Sequence, residues 1–156
     1  MAEESSLQTD LLEPLSAHIE RIERFAPTFA NQTLIVSTEL DVDVFEENQG
    51  VTKAPIPWPL LDYKMFYIVD VPAGVTIPKH SHEESVFRIL ISGSLTVNGR
   101  KIDQPGTWYV VRALTEYEIS TETGYRVLSG YTSNCRTGRE RALQKQEAQE
   151  PSPPRG

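Results

Sequence analysis

The sequence predicts an all-β protein, an antiparallel barrel or sandwich, and three observations carry that reading. From Lys64 onward, apolar and β-branched residues gather in short runs with regular turn signals between them. No helical period separates these runs, which argues against a parallel sheet with crossover helices. And 156 residues with 38% hydrophobic and 24% charged content describe one compact core with attached ends, not a disordered chain, a collagen or a coiled coil.

The elements follow in order. The first dozen residues are polar and acidic, and a short helix comes next. Pro14 suits its first position, and Leu15, His18, Ile19, Ile22 and Phe25 form one apolar stripe until Pro27 is expected to end it. The period then changes to two: Thr33–Ser37 is a β-branched run, and Leu40, Val42 and Val44 alternate with Asp41 and Asp43 as a strand with one acidic face would. The proline-rich stretch from Ala54 to Pro59 reads as an extended connection, with Trp58 as a rim or dimer contact. The later strands are Lys64–Val71, Val86–Ile91, Ser94–Val97, Arg100–Asp103, Thr107–Arg112, Tyr117–Ser120 and Tyr125–Tyr131. Between two of them, Asn98 and Gly99 form a two-residue hairpin turn that needs positive φ at both positions. The expected organisation is thus an acidic N-terminal extension with the helix over 1–32, a β-barrel over 33–135 and a disordered polar tail over 136–156.

The formal charge of −7 is unevenly spread. Residues 1–50 hold 11 acids and 2 bases, 51–135 hold 8 of each, and 136–156 hold 3 acids and 5 bases. Neither a nucleic acid nor an anionic membrane suits such a surface as partner. There is no run of 18 apolar residues and no basic-then-apolar start, so a cytoplasmic location is expected. The lone Cys135 excludes an internal disulfide and a cysteine-based zinc cage. It has no base near it in sequence and is assigned no catalytic role.

The tripeptide His80-Ser-His82 carries the chemistry. On an extended segment, residues i and i+2 share a face, so the two imidazoles can converge on one metal ion; two polar residues at a solvent-facing strand end would look the same. These are two of only three histidines in the chain. The third, His18, completes a set only if the helix covers the barrel mouth.

This region resembles the first motif of the cupin superfamily: Gly, five residues, His-x-His, three or four residues, Glu, six residues, Gly. Gly74, His80, His82 and Gly93 stand at matching positions. The resemblance extends over Lys64 to Tyr131 and implies a double-stranded β-helix, a small jelly-roll barrel with the site at its mouth, often paired as a homodimer. It also implies a small-molecule substrate or ligand and one divalent metal (Fe, Ni or Zn) held by His80 and His82. Two departures stand out. The family's Glu falls on Val86 or Phe87, and the last His of its second motif falls on Tyr117, with Arg112 and Leu114 where a Pro and a Gly are expected. Two of four usual ligands are therefore present, with Tyr117 or a carboxylate such as Glu84 left to fill in. Glu83, Glu116 and Glu118 read as solvated loop charges.

If position 86 faces inward, alternation turns Arg88 and Leu90 inward as well; a bulge would instead turn Arg88 to solvent. A buried guanidinium needs an internal carboxylate or an anionic ligand. Tyr63, Phe66, Tyr67, Phe87, Trp108, Tyr109 and Tyr117 cluster along the same stretch, most of them expected in the core. The candidate roles are therefore His80 and His82 as metal ligands, His80 and Tyr117 as acid–base groups, and Arg88 and Trp108 as substrate contacts. Three functions are compatible with this set: a metal-dependent enzyme of dioxygenase, lyase, isomerase or cyclase type; a metal-free isomerase or epimerase with a histidine base and Tyr117 as acid; and a non-catalytic binding or sensor module.

Overall fold

The computed structural model describes residues 13–46 and 48–133. The first dozen residues, Cys135 and the tail over 136–156 lie outside them. The described chain forms two compact units, one containing residues 13–32 and 39–60, the other 33–38 and 61–133. No helix among the described residues is long and apolar enough to cross a membrane.

In the first unit, helix α1 runs Leu15–Phe29, with Pro14 as its N-cap. Pro27 does not end it. In the last turn proline removes one hydrogen bond, while its fixed φ is already helical, and the helix continues to Phe29. The expected stripe is not a buried face either: Leu15 is 59% exposed, and the buried residues are Arg21 and Phe29. Arg21 grips the Glu13 carboxylate with two hydrogen bonds and lies 5.4 Å from the Phe45 ring, and Phe29 packs against Phe25 and Trp58. Trp58 is thus buried in this unit and is no rim residue. The Leu40–Val44 strand also fails to form. Asp41 and Asp43 instead line a hollow with Arg21 and Arg24, and the segment has no partner strand to hydrogen-bond with among the described residues. Among the described residues of this unit, only Phe45–Glu46 (β2) and Thr52–Lys53 (β3) pair.

The second unit is all β. Strand β1 (Leu34–Val36) is followed by β4 (Met65–Val71), β5 (Thr76–His80), β6 (Val86–Gly93), β7 (Leu95–Val97), β8 (Arg100–Ile102), β9 (Trp108–Val111), β10 (Tyr117–Ser120) and β11 (Tyr125–Tyr131). Antiparallel pairs nest inside one another: β7 with β8, β6 with β9, β5 with β10, and β4 with β11. The resulting sheets have the orders β1-β9-β6-β11-β4 and β5-β10-β7-β8. This is the winding of a long two-stranded ribbon into a double-sheeted jelly roll. Between the sheets lie Leu34, Val36, Leu90, Tyr109 and Val127 from the first, and Leu95, Val97, Ile102, Tyr117 and Ile119 from the second.

Turn chemistry fixes the ribbon. Asn98 and Gly99 have φ of 46° and 81°, as their two-residue hairpin requires. At the end of β6, Gly93 has φ of 82°, and a Cβ there would lie 2.1 Å from the Gly124 carbonyl oxygen. Strand β5 was not expected, because Pro78 and Lys79 look like loop residues. As an edge strand it tolerates a proline that cannot donate to a neighbour on its outer side. The opposite sheet ends in β4, where Phe66, Tyr67 and Ile68 are exposed and not in the core.

Candidate functional site

His80 ends β5 directly opposite Tyr117, the first residue of β10. The His80 ring centroid is 4.4 Å from that of Tyr117 and 5.1 Å from that of His82, so the two imidazoles and the phenol form one cluster. The Nδ1 of His80 lies 2.9 Å from the Pro78 carbonyl. A carbonyl only accepts, so the neutral ring carries its proton on Nδ1 and presents the Nε2 lone pair. His82 is buried, and its own carbonyl accepts the Leu114 N–H at 2.7 Å. Leu114 has φ of 63°, a left-handed conformation at the position where the cupin pattern has glycine.

Arg88 turns inward. It is 9% exposed; its Nε donates to Ser129 Oγ and its Nη1 to the Tyr117 hydroxyl, both at 3.0 Å. Both partners are neutral, and among the described residues no carboxylate pairs with this cation. Burial works against the charge, but the phenols of Tyr117, Tyr109 and Tyr131 around it hold its pKa above the ordinary value. Val86 and Leu90, on the same face of β6, are buried as alternation requires. Opposite Arg88 in register stand Tyr109 on β9 and Ser129 on β11.

Of the residues singled out in the sequence, the structure brings together His80, His82, Tyr117 and Arg88. It does not bring Trp108 to them. On β9 the side chains of Tyr109 and Val111 enter the core, so Trp108 takes the other face, where it packs 5.9 Å from the Phe87 ring. Glu84 is not a filling ligand either. Its carboxylate accepts from the backbone N–H of Thr132 and Ser133 and from both their hydroxyls, which ties down the chain beyond β11. Glu84→Gln should therefore cost about 1–3 kcal/mol of stability, as loss of charged acceptors does, measured by urea unfolding, with the chemistry of the imidazole cluster untouched. Glu116 and Glu118 are exposed. His18 meets Glu13 and Arg21.

Tyr109, Ser129 and Tyr131 were missed. Tyr131 lies 6.2 Å from the His82 ring and 5.8 Å from that of Tyr67. Only the strand pairing shows them, since a tyrosine or a serine within an apolar run carries no signal of its own.

The donor set does not fit a three-ligand metal centre. Among the described residues no third His, Cys, Asp or Glu joins His80 and His82, and Val86 supplies an apolar side chain where the family has its carboxylate. The Arg88 guanidinium, bonded to Tyr117, puts a fixed positive charge beside the place a dication would take.

No family model matches the sequence, and no curated protein matches it. Among solved structures the chain is similar to QdtA, a sugar 3,4-ketoisomerase from Thermoanaerobacterium thermosaccharolyticum in complex with TDP, at 17% identity and a TM-score of 0.49 over 76% of this chain and 96% of that one. It is also similar to a protein of unknown function with a cupin-like fold from Ralstonia eutropha, at 17% identity and a TM-score of 0.41 over 58% of this chain and 76% of that one. A third is a salicylate 1,2-dioxygenase from Pseudaminobacter salicylatoxidans, at 10% identity and 0.41 over 79% of this chain and 36% of that one. The strand order given above shows a double-sheeted antiparallel jelly roll.

Proposed function

We propose that this chain is a metal-free acid–base enzyme of isomerase or epimerase type, acting on a small molecule that carries an anionic oxygen next to a carbonyl. The observation that carries the reading is the buried Arg88 cation, bonded only to neutral oxygens and joined through Tyr117 to the His80 ring. Such a cation is matched by an anionic group of the ligand. His80 Nε2 takes a proton from the carbon beside the carbonyl, the freed electron pair moves to the carbonyl oxygen as an enolate, and Tyr117 returns a proton to carbon. The same reading includes a homodimer, for which the exposed run Phe66–Ile68 on edge strand β4 offers a place.

The test is exchange of carbon-bound hydrogen for deuterium in D2O, followed by NMR across a panel of small oxo-acids. Wild-type protein should catalyse exchange in at least one, EDTA should leave the rate unchanged, and His80→Asn should lower it by about 100-fold or more. A second reading rests on the His80 Nδ1 bond to Pro78, which is also the contact a metal-ligating histidine makes. Loss of exchange with EDTA, restored by iron, nickel or zinc, would carry that reading instead. No exchange with any acid would make the chain a binding module.

A further inference from the structure

Tyr109 is fully buried, and its hydroxyl makes no hydrogen bond among the described residues. This is an expensive arrangement: a phenylalanine would fill the same space without leaving a buried donor unmatched. Tyr109 stands opposite Arg88 in the β9–β6 register, so both side chains enter the same face of the sheet. The guanidinium is near enough to oppose the upward shift that burial imposes on the phenol, and the phenol hydroxyl itself has no hydrogen-bond partner among the described residues. Arg88 in turn uses Nε and Nη1 for Ser129 and Tyr117, which leaves Nη2 uncommitted among the described residues. A buried neutral donor without a hydrogen-bond partner therefore sits beside a guanidinium nitrogen that neither Ser129 nor Tyr117 engages.

We infer that Tyr109 and Arg88 together form a carboxylate subsite, with Tyr109 Oη donating to one oxygen and Arg88 Nη2 to the other. One cation and one neutral donor match the single charge and two oxygens of a carboxylate; a phosphate dianion would bring more charge and more acceptors than this pair can satisfy. This deepens the proposed function and rests on it, because Arg88 is the anion anchor in both. Tyr109 is then a specificity-determining residue: its hydroxyl is retained for the ligand, at a cost to the ligand-free protein.

The experiment is calorimetric titration of the whole chain with pyruvate, acetate and inorganic phosphate, with thermal melting of each protein alone. Tyr109→Phe preserves shape, so folding is not at issue. We expect it to weaken pyruvate and acetate binding about tenfold, the worth of one hydrogen bond, while the ligand-free variant melts higher than wild type. Unchanged carboxylate affinity in Tyr109→Phe would overturn the inference. If Arg88→Met still loses binding in that case, the anion site itself stands. Binding of phosphate in place of the carboxylates would overturn the assigned ligand class, and a wild-type protein that binds none of the three would remove the underlying reading as well.

Discussion

Replacing Arg88 with methionine should abolish the response to small carboxylates and, at the same time, raise the melting temperature of the ligand-free protein. The two effects have one origin. Arg88 is 9% exposed and its hydrogen-bond partners are a serine hydroxyl and a phenol, neither of which returns a charge. Moving a cation out of water costs several kcal/mol, and neutral acceptors recover only part of it. Methionine fills a similar length without that cost, although Ser129 and Tyr117 each lose a donor. The balance favours the variant by about 1 kcal/mol, or about 5 °C in a domain of this size. On the ligand side, losing the only cation in the cluster should weaken carboxylate binding about 100-fold or more. Differential scanning calorimetry with and without pyruvate reads both quantities. A variant that melts several degrees lower and keeps its pyruvate response would mean that Arg88 is a structural residue and that the anion is held elsewhere.

Gly93→Ala should be the most damaging single change in the barrel. The new Cβ would lie 2.1 Å from the Gly124 carbonyl oxygen and 2.7 Å from Tyr125 Cα, and both are backbone atoms that no rotamer change can move. The left-handed φ of 82° adds about 1–2 kcal/mol for any residue with a Cβ. The sum exceeds about 4 kcal/mol, a large share of the 5–15 kcal/mol that holds a typical domain together. Little folded protein should be recovered. Gly99→Ala is the control: it has φ of 81° with nothing within 4 Å of the added carbon, so it should cost only the conformational part, about 1–2 kcal/mol. Equal urea midpoints for the two variants would show that the close approach of the two chains at Gly93 is not what constrains the position.

The barrel strands were largely legible in the sequence because each has a turn residue at its end and an alternating or β-branched interior. The runs predicted at Tyr117–Ser120 and Tyr125–Tyr131 are β10 and β11 residue for residue. Strand β5 escaped because its character comes from its place at a sheet edge and not from its composition. The helix outlived Pro27, and the Leu40–Val44 alternation found no strand to pair with among the described residues, since both outcomes depend on what surrounds the segment. In the site, His80, His82, Tyr117 and Arg88 were readable because i, i+2 spacing assigns a face without knowledge of neighbours. Which of Trp108 and Tyr109 faces the cluster was not readable, for the opposite reason. All four residues of β9 are buried, so the run Trp-Tyr-Val-Val contains no phase, and only its register with Arg88 decides which aromatic looks inward.

The position of β11 also sets an order in time. It is the last strand of the described chain, yet it lies between β4 and β6 and pairs with both along most of its length. Until residues 125–131 leave the ribosome, β4 and β6 present unpaired edges towards each other, and the exposed apolar run of β4 is open to any other strand. Ser129 and Tyr131 arrive with the same segment, so the guanidinium of Arg88 has no Ser129 to hold it before the sheet closes. Closure of the fold and completion of the Arg88 cluster are therefore one late event, and a chain released before Tyr125 should aggregate.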